Sequence, residues 1–165
     1  MNTLLLAAVL LFPTVHGRSV MQRHVALPSD LAGRPTIVLI TFGQDQQIMA
    51  DSWLPLFGQI QTEYPAVGYR EVSVSNFNDR LTRCTVDAYN NFSTQDPAVY
   101  ENTVVLSAGR SRFLRDLHLP NDHTTYTLLL DAAGFVRWRA AGTMTPLNGQ
   151  RLKEAVGELS EKSKS

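Results

Sequence analysis

The chain holds one cysteine, Cys84, and that count bounds its thiol chemistry. A lone cysteine closes no internal disulfide and runs no two-thiol exchange, because that exchange needs a second sulfur to resolve the mixed disulfide. What remains open to Cys84 is single-thiol attack, if its pKa is lowered, or a passive place as a small residue in the polar stretch Arg83-Cys84-Thr85. The histidines are His16, His24, His118 and His123. His118 and His123, with Asp122 between them, could hold a metal ion weakly, but they lack the rigid spacing of a zinc site and no cysteine joins them. The sequence contains no glycine-rich phosphate loop, Ser-His-Asp set or helical His pair. Two chemical readings therefore stand: a thiol-dependent oxidoreductase or peroxidase using Cys84, and a small-ligand or metal carrier around 118–123. Neither is supported by a complete catalytic set, which favours a protein that is not an enzyme and needs no cofactor.

Composition sets the frame for these side chains. The 165 residues are 44% hydrophobic and 18% charged, enough for one globular domain with a core. Fifteen basic residues balance fifteen acidic ones, for a formal net charge of +0. That balance gives no electrostatic footprint for nucleic acid or for an anionic membrane.

The first residues have the layout of a secretory signal. An apolar run from Leu4 to Phe12 is followed by Pro13 and Val15-His16-Gly17. The run is too short to span a bilayer comfortably, and no Arg marks a mitochondrial presequence in 1–17. We therefore expect a signal peptide over 1–17, cleaved after Gly17, and an exported, periplasmic or secreted domain over 18–165 with a tail frayed from about 160. An uncleaved anchor is the alternative. Contact with a membrane is expected only through this segment before cleavage. Asn91-Phe92-Ser93 matches a glycosylation acceptor, which matters only in a eukaryotic source.

The apolar pattern predicts the elements. Thr36–Phe42 is a β-branched run without polar alternation, as in a strand buried on both faces. After a loop over Gln44–Ala50, Asp51 and Ser52 can cap a helix with Pro55 in its first turn and Trp53, Phe57, Ile60 and Tyr64 on one face. Gly68–Val74 reads as a second strand and Thr103–Leu106 as a third, with a short helix near Asn78–Ala88 between them. Ser111 can cap a helix burying Phe113, Leu114 and Leu117. Tyr126–Leu130 and Phe135–Ala140 form a hairpin around Asp131–Gly134, and a last helix carries Leu152, Ala155, Val156 and Leu159. The predicted fold is α/β: a mostly parallel central sheet closed by a β-hairpin, with helices on both faces.

This order, over roughly residues 27–159, resembles the thioredoxin-like superfamily. Leu31-Ala32-Gly33-Arg34-Pro35 before a strand ending in Phe42 resembles the entry to exported thiol-disulfide oxidoreductases, and the segment Thr127–Val136 resembles their closing hairpin. The resemblance implies a Cys-x-x-Cys at the start of the first helix, where the helix terminus lowers the first thiol's pKa. Counted from Phe42, those places hold Gln47 and Ala50, and the place of the cis-proline before the fourth strand holds Thr124 or Thr125. The resemblance therefore implies a scaffold without its redox pair. The segment from Gly109 to Gly142, with Leu117, Tyr126, the strand ending in Asp131 and Val136-Arg137-Trp138, is similar to the closing portion of the mitochondrial ATP synthase assembly chaperones. That similarity implies action by protein–protein contact with a membrane subunit, whereas the export signal departs from that family's address.

The expected function is accordingly an exported, non-catalytic, chaperone- or assembly-factor-type protein that binds another protein. Its partner-binding candidates are Arg137 and Arg139 as a basic edge beside an anchoring Trp138, and Asp45 and Gln47, with Gln46 and Asp51, in the loop where a dithiol would lie. The plain alternatives are a core Trp beside solvated arginines, and a polar loop that caps a helix.

Overall fold

The computed structural model describes residues 9–19, 23–74, 102–106 and 109–162. Seven strands form one sheet: β1 (Val15–Ser19), β2 (His24–Leu27), β3 (Thr36–Thr41), β4 (Gly68–Val74), β5 (Thr103–Leu106), β6 (Tyr126–Leu130) and β7 (Val136–Ala141), in the order β2-β1-β5-β4-β3-β6-β7. The helices are α1 (Gln47–Asp51), α2 (Leu54–Glu63), α3 (Arg110–Asp116) and α4 (Pro146–Lys162).

The run that reads as a doubly buried strand is the middle of the sheet. All six residues of β3 are buried. Its side chains alternate between two cores. Ile37 and Leu39 pack with Trp53, Phe57 and Ile60 of the α2 region and with Leu152 and Val156 of α4. Val38 and Ile40 pack with Phe113 of α3 and the neighbouring Leu117 on the opposite face. Helices thus cover both faces, as expected.

The sheet is not mostly parallel. The β3–β4 and β4–β5 pairs are parallel, but β1–β2, β1–β5, β3–β6 and β6–β7 are antiparallel. The excess has two sources. The closing hairpin lies against the central strand β3, so it reverses two pairings. Two further antiparallel pairings come from strands in segments read as a signal and a lead-in.

The second of these changes the account of the N-terminus. Phe12 is fully buried, meets Phe113 edge-on with ring centroids 5.9 Å apart, and its N–H donates to the Gly134 carbonyl at 2.9 Å. Val136 N–H donates to the Leu10 carbonyl at 2.7 Å. β1 then lies between β2 and β5. The expected boundary at residue 18 falls inside this strand, and a cut after Gly17 would take Phe12, Val15 and three of the five β1 residues from the domain.

The expected cap at Asp51 and Ser52 is also used differently. The residue before α2 is Trp53, without a side-chain cap, and Pro55 does stand in its first turn. Ser52 Oγ instead donates to the Met49 carbonyl (2.6 Å) and accepts from Met144 N–H (2.9 Å), tying α1 to the loop between β7 and α4. The loop expected over 44–50 is a short helical turn followed by α1. The helix expected near Asn78–Ala88 lies outside the described residues. No helix among the described residues is long and apolar enough to cross a membrane.

Candidate functional site

Register brings four chain segments to one end of the sheet. β3 and β4 run parallel and end together, β5 ends beside Val74, and antiparallel β6 begins beside Ile40. The segments after β3, after β5 and before β6 therefore meet there. This is the end where a redox pair would sit.

Polar side chains tie that end together. Gln46 is buried; its Oε1 accepts from Phe42 N–H at 2.9 Å and its Nε2 donates to the Asp122 carbonyl at 2.7 Å. Arg110, at the start of α3, donates to Asp122 Oδ2 at 3.0 Å, to the Phe42 carbonyl at 2.7 Å and to the Val74 carbonyl at 3.4 Å. Its guanidinium also lies 5.9 Å from the Phe42 ring centre. One arginine thereby serves the carbonyl just past β3 and the last carbonyl of β4, and holds the loop before β6. The Arg110 hydrogen bond, followed by lesser effects, lowers the Asp122 carboxyl below its ordinary pKa.

The places of a dithiol lie on this platform. Ala50 is 1% exposed and packs in the α2–α4 core, so the second place is an apolar core position. Gln47 donates to Asp51 Oδ1 at 2.7 Å. Between them, Met49 Sδ accepts a long contact of 3.8 Å from the Thr124 hydroxyl, so the segment at the cis-proline place does lie against α1. Asp45 is exposed, and Ile48 points outward with 84% exposure. Gln and Ala carry neither a thiol nor a base, and the neighbouring groups are hydrogen-bond partners rather than nucleophiles. The platform can bind and position, but it lacks the atoms of a two-thiol reaction.

Beneath α1 lies a buried acid. Glu71 is 5% exposed and pairs in register with Leu39 on one side and Thr103 on the other, so it faces the α2 side of the sheet with Leu39. Burial, then the charge of Asp51, pushes its pKa up from 4.5 to about 7.

The basic edge expected at Arg137 and Arg139 is divided. A register shift between Leu129 and Leu130 leaves Arg137 as the extra residue on β7. Arg137 Nε donates to Asp131 Oδ2 at 2.6 Å, and its side chain lines a cavity with Ala155 and Glu158 of α4. Arg139 reaches the Leu117 carbonyl at 3.3 Å, beside α3. Trp138 is half-buried and meets Trp53 edge-on with centroids 6.2 Å apart, as a member of the α2–α4 core. These three residues do not form one patch, and none joins Asp45 and Gln47.

The other candidates separate as well. His118 takes a left-handed backbone conformation (φ 52°) just after α3, and His123 is exposed with Nδ1 3.6 Å from Asp122. No group of three His, Cys, Asp or Glu side chains among the described residues is placed to hold a metal ion. Cys84 and Asn91 lie outside the described residues. Sequence reasoning missed Arg110, Ile48 and Met49. A basic residue directly after Gly109, at the start of a helix, was the available signal for Arg110.

An open α/β sheet flanked by helices on both faces, with the segments after β3 and before β6 meeting at one end, is the thioredoxin-like fold. Solved structures agree. BsSco, described as a member of the Sco family of cytochrome c oxidase assembly proteins, matches with a TM-score of 0.67 at 15% identity over 93% of this chain and 95% of its own. Yeast Sco1 with copper bound matches with a TM-score of 0.59 at 13% identity over 94% of this chain and 93% of its own. A DsbE-type thiol:disulfide interchange protein from Chlorobium tepidum matches with 0.56 at 19% identity, covering 92% and 96%. Within that class, the chain belongs to the ATP10 protein family, which matches it over residues 7–159. The resemblance seen over Gly109–Gly142 thus extends through the domain, β1 included. No curated relative matches the chain by sequence.

Proposed function

We propose that this protein is a non-catalytic assembly factor that binds a client protein through the loop end of its sheet. One observation carries the reading. In the place of a dithiol the chain has a buried Ala50 and a hydrogen-bonded Gln47, and between them an isoleucine left 84% exposed. A large aliphatic side chain held outward on a platform braced by Arg110, Gln46 and Asp122 suits the anchoring of a protein surface. Membership of the ATP10 family supports the assembly role, and the fold shared with Sco-type assembly proteins fits it.

The purified protein is expected to show no insulin-disulfide reduction and no peroxide turnover, with or without an added thiol. Thiol-dependent turnover that disappears in Cys84→Ser would replace this reading with the single-thiol enzyme.

A further inference from the structure

The hairpin that carries the family resemblance also builds a cavity at the opposite end of the molecule. The cavity, about 430 Å³, lies between the β6–β7 turn and the C-terminal half of α4. That volume falls in the range of small-ligand sites. Its walls are apolar at Pro35, Ala133, Ala155 and Leu159, and Arg137, with its side chain 43% exposed, lines it as well.

Arg137 is held there by its neighbours. Asp131 Oδ1 accepts from Ala133 N–H (2.9 Å) and Phe135 N–H (3.0 Å), and Oδ2 accepts from Arg137 Nε (2.6 Å). Burial alone would raise the Asp131 carboxyl. The N–H of Phe135, the Arg137 guanidinium and the N–H of Ala133 outweigh it and keep the carboxyl below its ordinary pKa. The guanidinium also lies 5.6 Å from the Phe135 ring centre. One edge and one face of the guanidinium are therefore engaged, while its two terminal amines take no protein acceptor among the described residues. Glu158 and Lys162, four residues apart on α4, stand on the same cavity and offset each other in charge.

We infer that this cavity is a binding site for a carboxylate on a short apolar chain, such as the free C-terminal end of a polypeptide. The two terminal amines of Arg137, which lines the cavity, form the fork that a carboxylate matches in a bidentate pair. The volume and the apolar walls suit a short aliphatic chain beside that carboxylate. The site is independent of the surface around Ile48, and either can fail without the other.

The test is an NMR titration of the full chain with three probe peptides: Ac-Ala-Leu-Ala with a free C-terminus, the same peptide amidated, and Ac-Ala-Leu-Asp-amide. The free acid is expected to give saturable shifts at the amides of Ala132, Ala133 and Ala155, and the amidated peptide none. Equal binding of the Asp peptide also supports a carboxylate site and assigns it to side-chain carboxylates as well. Arg137→Lys is expected to weaken binding roughly tenfold through loss of the fork. Glu158→Gln is expected to tighten it about two- to threefold at low salt by removing a like charge, an effect that a merely structural role would not produce. Absence of saturable shifts with both carboxylate peptides at millimolar concentration, or equal shifts with the amidated one, would overturn the inference. So would unchanged affinity in both variants.

Discussion

Arg110 and Asp122, twelve residues apart, meet at 3.0 Å and close the end of the sheet where a redox pair would lie. Their side chains are about a quarter exposed, so the ion pair by itself stabilises modestly. Arg110 matters more, because it also serves the carbonyls of Phe42 and Val74. Replacing Arg110 by Met should therefore cost about 1–3 kcal/mol, whereas Asp122→Asn should cost under about 1 kcal/mol. Urea unfolding of the two variants checks the order; equal costs would mean that the strand-end carbonyls are not what Arg110 supports. Because the Asp122 carboxyl is held low, its contribution is present above the ordinary aspartate range and is lost as pH falls through the depressed value.

Glu71 works in the opposite direction. Its folded-state pKa of about 7 stands above the ordinary 4.5. Between those values the folded chain holds a proton that the unfolded chain has released. Stability from this group is thus complete below 4.5, declines as pH rises toward 7, and levels off above it. Glu71→Gln should flatten the profile between pH 5 and 8 and raise the urea midpoint at pH 8 more than at pH 5. A slope unchanged in the variant would place the titration on another group.

The N-terminal segment gives a prediction about processing. Phe12 has no exposed surface, and Val15 and Gly17 lie in a strand with neighbours on both sides. Phe12→Ala should cost about 3–5 kcal/mol. A chain beginning at Arg18 should lose more than that, since only Arg18 of the four β1–β2 register pairs then remains. Intact mass of the protein isolated from its own source, set beside these midpoints, checks whether a cut after Gly17 occurs; a stable, cooperatively folding chain from Arg18 would mean that β1 is dispensable.

That segment also shows why the sequence yielded some elements and not others. β3, β4, β5, β6 and β7 announced themselves through apolar or alternating runs, because their side chains fill cores on one or both faces. β1 did not, because Val-His-Gly-Arg-Ser alternates apolar or small with polar directly after an apolar run, a layout a signal peptide shares. The expectation of a mostly parallel sheet departs from the structure partly for this reason, and partly because the closing hairpin lies against β3. The candidate site was half legible. Counting from Phe42 put Gln47 and Ala50 on α1, but the pairing of Arg110 with Asp122 and of Gln46 with the Asp122 carbonyl depends on segments 12 and 76 residues apart, which no local pattern records. Arg137 and Arg139 looked like one edge because strict alternation was assumed. The bulge between Leu129 and Leu130 breaks that alternation and sends them toward different helices.

Ile48 gives the sharpest separation of stability from function. It is 84% exposed on α1, so Ile48→Ser should change the unfolding free energy by no more than about 0.5 kcal/mol. If the loop end of the sheet binds a client, the same change removes the apolar anchor and should weaken that binding about tenfold. The client can be found with a photo-crosslinker in place of exposed Asp45, beside Ile48 but not part of the platform's hydrogen bonds, and then titrated against the wild-type and Ile48→Ser proteins. Gln59→Ser, on the exposed side of α2, is the control and should leave affinity unchanged. An unchanged affinity in Ile48→Ser, with the fold intact, would remove this end of the sheet as the client site and would turn attention to the Arg137 cavity at the other end.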